Sequence, residues 1–372
     1  MIGMNRREFF RGALSIGATG AVSTLHATES VGSNAHDDDV GKLQRSSPVV
    51  NGLDPSSLSA SYLDLLRAGG VSCWHRSVGS DFASFASLLS FCDEHKAQIA
   101  PARSVHDIRK LHRQSIVALV SGWQSAEGLI VDGEPELGNL RAYHELGLRI
   151  CGIAYNVANQ FGGGCLDPQV GLTRAGRRLI EQIHRARIVL DVGGHTNERT
   201  SFDAIEISAG VPVICSHTNV RALNDNPRCS TDRMLEAIAR TGGVIGVTAF
   251  SDFHVRKWSD ARVMRSPQAD LERHLDQYDY LKRLIGADHI GLGPDFLTGR
   301  NDSGRLSAAD RILMAPEAYS QETPWFYVKG FESIDELPNV TQGLLQRGWS
   351  SADVRKVLGE NWLRVYEAVW GA

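Results

Sequence analysis

Three histidines and one aspartate occupy matching places in this chain. His75, His195, His217 and Asp295 each follow a short apolar or β-branched run, at residues 71–74, 188–192, 211–216 and 289–293. A single histidine behind a strand is ordinarily a satisfied structural residue. Three behind different strands, with a carboxylate behind a fourth, meet at one mouth if those strands are parallel and close into a barrel. Neutral imidazole and carboxylate suit a catalytic zinc with one open position, and they serve equally as general acids and bases. The other runs end in Asn51 and Asp54, in Trp123 and Gln124, in Tyr155 and Asn156, and in Thr248, which bring amides, a phenol and a hydroxyl to the same mouth.

These residues need a frame that gathers them. Eight apolar runs, at 48–51, 71–74, 115–120, 149–155, 188–192, 211–216, 243–248 and 289–293, alternate with helix-period segments such as 58–68, 173–186, 201–208, 231–240 and 271–285. Strict alternation implies parallel strands joined by right-handed crossovers, and closure at eight is an α/β fold of the (β/α)8 TIM-type barrel kind. A doubly wound open sheet is the rival arrangement. Against it, no Gly-x-Gly-x-x-Gly turn follows the first run.

The chain has 372 residues, 42% hydrophobic and 22% charged, enough for one large domain with a sizeable core. Residues 5–11 read NRREFFR and lead into a small-residue stretch at 12–25 that is too short and too polar to span a bilayer. This predicts a twin-arginine export signal over 1–27, cleaved near Ala27, with the twin-arginine translocase as a partner and the periplasm as destination. A polar linker over 28–47, including an HDDD stretch at 36–39 that reads as solvated, then leads to a single barrel domain over 48–372. The signal carries three arginines and one glutamate, so its removal makes the chain more negative than the formal −4. No basic stripe is left to track a phosphate backbone, which argues against nucleic acid as a partner. Six cysteines show no Cys-x-x-Cys spacing, which argues against a thiolate zinc site. An oxidising compartment permits a bridge between Cys165 and Cys229, both in loops expected at the same barrel face.

An ordered series of motifs carries a family resemblance. Residues 213–219 (VICSHTN), 221–223 (RAL), 226–228 (NPR), 242–247 (GGVIGV), 288–296 (DHIGLGPDF), 339–349 (NVTQGLLQRGW) and 357–366 (VLGENWLRVY) resemble the membrane dipeptidase family, also called renal dipeptidase-like or peptidase M19, of the amidohydrolase superfamily. The likeness covers nearly all the chain after Ser47. Members of that family typically cleave dipeptides with two zinc ions. The resemblance implies that His195, in 191–195 (DVGGH), and His217 bind the second metal, that Asp295 handles the proton of the attacking water, and that Arg228 holds the substrate carboxylate. It also implies a homodimer.

The chain departs from the family at definite places. Leu53 and Pro55 replace the His-x-Asp of the first strand, and Gln124 replaces the bridging glutamate. Tyr155 replaces the histidine that polarises the scissile carbonyl, although its phenol can still donate. Gly193-Gly194 adds one residue before His195, so a bulge re-aims that side chain. The expectation is a reduced site holding one zinc or none, with His195, His217 and His75 or Asp295 as ligands. Asp295, Tyr155 and Gln124 are the expected catalytic groups, and Arg228, Asn156 and Asn219 the expected binders of a small-molecule substrate. The expected reaction is hydrolysis of a small amide or dipeptide-like substrate with a free carboxylate. The alternative is a metal-free periplasmic tailoring enzyme or ligand-binding protein on the same scaffold. The segments 251–269 and 296–337 are expected to rim and cover the mouth, with the aromatics at 325–327 packing the cover down.

Overall fold

A computed structural model describes residues 40–298 and 315–371. The expected export signal, its cleavage point and the start of the expected linker lie outside the described residues. From residue 40 to 46 the chain is helical, with Val40 and Leu43 buried and the Gln44 amide donating to Gly69 O and Thr341 Oγ1. The last part of the expected linker is thus a helix docked on the barrel, because its apolar residues fall on one face. Among the described residues no helix is long and apolar enough to cross a membrane.

Among the described residues the main sheet has nine strands: β1 (Val50–Asp54), β2 (Cys73–Ser77), β3 (Ile99–Pro101), β4 (Val117–Trp123), β5 (Leu148–Gly152), β6 (Val189–Asp191), β7 (Ile214–Thr218), β8 (Val244–Val247) and β9 (Ile290–Leu292). Eight of them, β1-β2-β4-β5-β6-β7-β8-β9, follow one another as parallel neighbours. At the seam the Asp295 amide donates to the Leu53 carbonyl, so the eight form the expected (β/α)8 barrel. The ninth, β3, pairs with the start of β4 and escapes a reading by pattern, because three residues ending in proline show no period. β1 and β4 also run past their apolar runs, to Asp54 and Trp123. Asn51 and Asp54 are fully buried and bond each other at 2.7 Å, a pairing that hydrophobicity does not register.

Helices between the strands start where side-chain caps satisfy their first amides. Thr173 caps α1 (Arg174–Arg185), Asn197 caps α2 (Glu198–Ser208), Thr231 caps α3 (Asp232–Arg240) and Asp270 caps α5 (Leu271–Ile285), which follows the short α4 (Asp252–Val255). One set of strand residues, among them Trp74, Leu119, Leu190 and Ile245, packs in the main core cluster with helix residues. A second set, Val50, Cys73, Val120, Ile150, Val189, Ile214 and Val244, packs with Trp362 and Tyr366 of the C-terminal helix α6 (Asn361–Trp370). Glycine makes room for that plug. A Cβ on Gly52 would stand 2.3 Å from the Trp362 ring, and one on Gly291 2.4 Å from its Nε1.

Candidate active site at the strand ends

The chain after β6 turns sharply. The Asp191 carboxylate accepts from the Gly193 amide at 3.3 Å and the Ser216 amide at 3.1 Å, which draws the loop over β7. Only glycine fits there: a Cβ on Gly193 would lie 1.9 Å from Cys215 Sγ, and one on Gly194, at φ +75°, 2.5 Å from the His217 carbonyl oxygen. The turn delivers His195 into the barrel mouth. Its Nδ1 lies 2.7 Å from Asn156 Oδ1, its ring stacks on Tyr155 at 3.7 Å, and its Nε2 lies 2.9 Å from the Gln124 carboxamide and 3.2 Å from Arg228 Nη2.

His217 comes from β7. Its Nδ1 is 2.8 Å from Ser216 Oγ, while its Nε2 has no hydrogen-bond partner and lies 4.0 Å from Asp295 Oδ2. Asn156 and Asp295 hold φ of +58° and +63°, left-handed conformations that cost non-glycine residues energy and gather at working sites. His75 is buried, with Nδ1 bonded to the Gly52 carbonyl and its ring close against Gly122. Burial, the Arg228 charge and neighbouring histidines hold His195 and His217 well below the usual histidine range, and burial lowers His75 to about 4. All three are therefore neutral at pH 7.

Arg228 is the centre of charge. Its amide is held by Asn226 Oδ1 at 2.9 Å, its Nε donates to Tyr319 at 2.9 Å, and its guanidinium lies 5.2 Å from the centre of the Phe253 ring. Nη1 has no hydrogen-bond partner. Burial works against this charge, and Tyr319, Cys165 and Asp295 more than offset it. Tyr319 arrives on the covering segment, which three residues clamp. Asp252 accepts from the Ser320 amide and hydroxyl, Arg256 donates to Pro316 O, and Asn226 donates to Ala318 O. Phe326 and Tyr327 pack on Phe250, as expected of the aromatics in that segment. A cavity of about 370 Å³ reaches Arg228 and the Gly193-Gly194 turn from the side of the loops after β6 and β7, lined by Cys165, Gly194, Asn197, Arg221, Arg228 and Trp258 among others; His195, His217 and Asp295 are not in its lining. Its volume is that of a small-ligand site. Cys229 lines it too, and both cysteines are free thiols, so the expected bridge is not formed.

Whether zinc fits can be judged from the donors. A catalytic zinc takes three protein ligands and one open position. Among the described residues no three His, Cys, Asp or Glu side chains converge to hold a metal ion. The expected set of His195, His217 and His75 or Asp295 is therefore not assembled. The reason lies at His195: its Nε2, the atom that would ligate, already faces Arg228. A dication about 3 Å from a guanidinium would be opposed by on the order of 10 kcal/mol at an effective permittivity of ~20. A bridging carboxylate would offset that repulsion, and the neutral Gln124 cannot. The site does not fit a metal ion.

Other expected roles also shift. The Asn156 side chain holds His195, with its Oδ1 2.7 Å from Nδ1. The Asn219 amide lies 3.3 Å from both ring nitrogens of His254 and is drawn into a buried cluster with His274. Gln124, besides facing His195, donates to Ser77 Oγ at 3.1 Å. Sequence reasoning missed Tyr319, which lies in a stretch without period, and Ser216, whose only signal was its place beside His217.

Over residues 76–311 and 323–371 the chain matches the family described as Membrane dipeptidase (Peptidase family M19). The match starts after β1, the strand that carries Leu53. An uncharacterized protein in the pqqA 5′ region of Klebsiella pneumoniae is 32% identical over 277 residues, which is 72% of this chain and 88% of that protein. Dipeptidase tcpJ of Claviceps purpurea is 27% identical over 302 residues, 79% of this chain and 61% of that protein. The crystal structure of an amidohydrolase from Pseudomonas aeruginosa superposes with a TM-score of 0.78 at 27% identity, covering 90% of this chain and 99% of that one.

Proposed function

Because this chain belongs to the membrane dipeptidase family, peptidase family M19, a family of peptide- and amide-bond hydrolases, we propose that it is an exported periplasmic hydrolase of a small amide or dipeptide-like substrate with a free carboxylate. The observation that carries the reading is the convergence of Arg228, His217 and Asp295 at one mouth. Arg228 Nη1 holds the substrate carboxylate, a task suited to a planar fork of donors. The 4.0 Å between Asp295 Oδ2 and His217 Nε2 is a span that one water molecule bridges. Asp295 takes the proton of that water as it attacks the scissile carbonyl and returns it to the amide nitrogen as the C–N bond breaks and the amine leaves. Tyr155 stacks on His195 beside this path and donates its phenolic hydrogen to the developing oxyanion.

The test is hydrolysis of dipeptides and N-acyl amino acids, each offered with its carboxylate free and amidated. Only the free acids should turn over. His217→Ala should abolish turnover, and Arg228→Ala should raise KM about 10- to 100-fold for free acids. Full activity in His217→Ala sinks the mechanism, and equal turnover of amidated substrates removes the carboxylate from the reading.

A second reading, a tailoring enzyme or binding protein on the same scaffold, draws on Leu53, Pro55 and Gln124, which supply none of the charged donors that the family's chemistry uses. It predicts saturable binding of free-acid dipeptides with no product in the same assay.

A further inference from the structure

We propose that the Arg228 guanidinium takes the place of a resident metal ion at the histidine pair, holding His195 through Nη2 and keeping Nη1 for the carboxylate of a ligand. For the class of ligand this rests on the function proposed above; for the absence of metal it rests on the donors alone.

The residues around Arg228 form a built cradle. Tyr319 takes Nε, His195 takes Nη2 and Phe253 lies beneath the plane, so three features fix one orientation of the fork. His195 is fixed in turn, because Asn156 engages its Nδ1 and leaves Nε2 toward the arginine. Space for the arrangement comes from the added glycine. A Cβ on Gly194 would stand 3.1 Å from Arg228 Nη1 and 3.2 Å from His217 Cε1, so any larger residue would press on both partners. Gln124 completes the change. A carboxylate at that place would pair with a cation between the two histidines, whereas an amide only hydrogen bonds. Two departures from the family pattern, Pro55 for aspartate and Gln124 for glutamate, remove negative donors, Leu53 removes an imidazole, and the extra glycine leaves room at the histidines for the guanidinium of Arg228, a residue that the family pattern keeps. A buried guanidinium with an open Nη1 is then completed by a ligand anion, for which a carboxylate is the matching shape.

The test measures zinc and ligand separately. Mature protein purified without chelators is analysed for zinc, then dialysed against micromolar zinc chloride, beside a His195→Ala, His217→Ala double variant whose folding is checked by circular dichroism. N-acetylglycine binding is measured by calorimetry before and after chelator treatment, in wild type and in Arg228→Met. The expected result is the same zinc content in wild type and double variant, with N-acetylglycine binding unchanged by the chelator and at least about tenfold weaker in Arg228→Met. About one zinc per chain in wild type, lost in the double variant, overturns the inference. So does binding that the chelator abolishes. Dipeptide turnover on the same preparations distinguishes the two proposals: zinc at the pair with turnover ends this inference alone, and no zinc with no turnover ends only the hydrolase reading.

Discussion

What a histidine can do at a barrel mouth depends on the partners of its two ring nitrogens. His195 has both engaged, by Asn156 and by Arg228 with Gln124. His217 has one engaged and one facing Asp295, which leaves it the more able to act on a bound water. His75 has its Nδ1 tied to the Gly52 carbonyl and, like His217, a buried Nε2 without a hydrogen-bond partner. The same accounting makes Tyr319 more than a cover residue, since it is the partner of Arg228 Nε. Tyr319→Phe leaves a buried charged donor unsatisfied, so it should cost about 1–3 kcal/mol of stability and weaken carboxylate binding about tenfold. Urea midpoints and the KM of free-acid substrates check this, and unchanged values for both would free Arg228 from that support.

At the scale of elements, β6, β7 and the loops behind them carry His195, His217 and Arg228, while the cover delivers Tyr319 through the Asp252, Arg256 and Asn226 clamp. The opposite end of the barrel is closed by α6. Trp362 is fully buried against Gly52 and Gly291, both of which lack the Cβ that would exclude it. Trp362→Ala opens a cavity that rigid strands cannot collapse into, so a loss of about 3–5 kcal/mol is expected from chemical denaturation. Because the plug sits far from the strand ends, KM should hold in the fraction that remains folded. A loss below 1 kcal/mol would mean that the barrel interior repacks.

Over the whole molecule, burial sets the response to acid. His75, His195, His217, His254 and His274 are all lowered, chiefly by burial, with His254 at about 4. Below pH 6.5 the unfolded chain binds protons at these residues that the folded chain does not. Their stabilisation is complete above about 6.5 and falls as pH drops below it, through about 4 for His75 and His254. Asp54 and Asp191, raised to about 6 by burial, act in the opposite sense: their contribution is complete below about 3.8 and is lost as pH rises through 6. Asp252 and Glu127, also raised by burial, act in the same sense as these two, and the five histidines outnumber the four carboxylates, so the urea midpoint should rise between pH 4 and 6.5. His254→Gln should flatten that rise by removing roughly 3 kcal/mol of the pH-dependent difference. A midpoint that falls over this range would show that the carboxylates dominate.

Alternation of short apolar runs with capped helical segments sufficed for the barrel, because period and capping are local properties of the chain. The helix expected at 271–285 ends where α5 does, and Asp295 and His195 stand behind the strands they were expected to follow, whereas His217 lies inside β7, one residue before its end. The chemistry of those residues was not local. Whether His195 keeps a lone pair for zinc is decided by Arg228, 33 positions away, and Arg228 is aimed by Tyr319, 91 positions beyond it. Spacing along a strand says which face a side chain occupies. Which nitrogen of an imidazole is already taken depends on hydrogen bonds between distant loops, and those are made only when the folded chain brings the loops together.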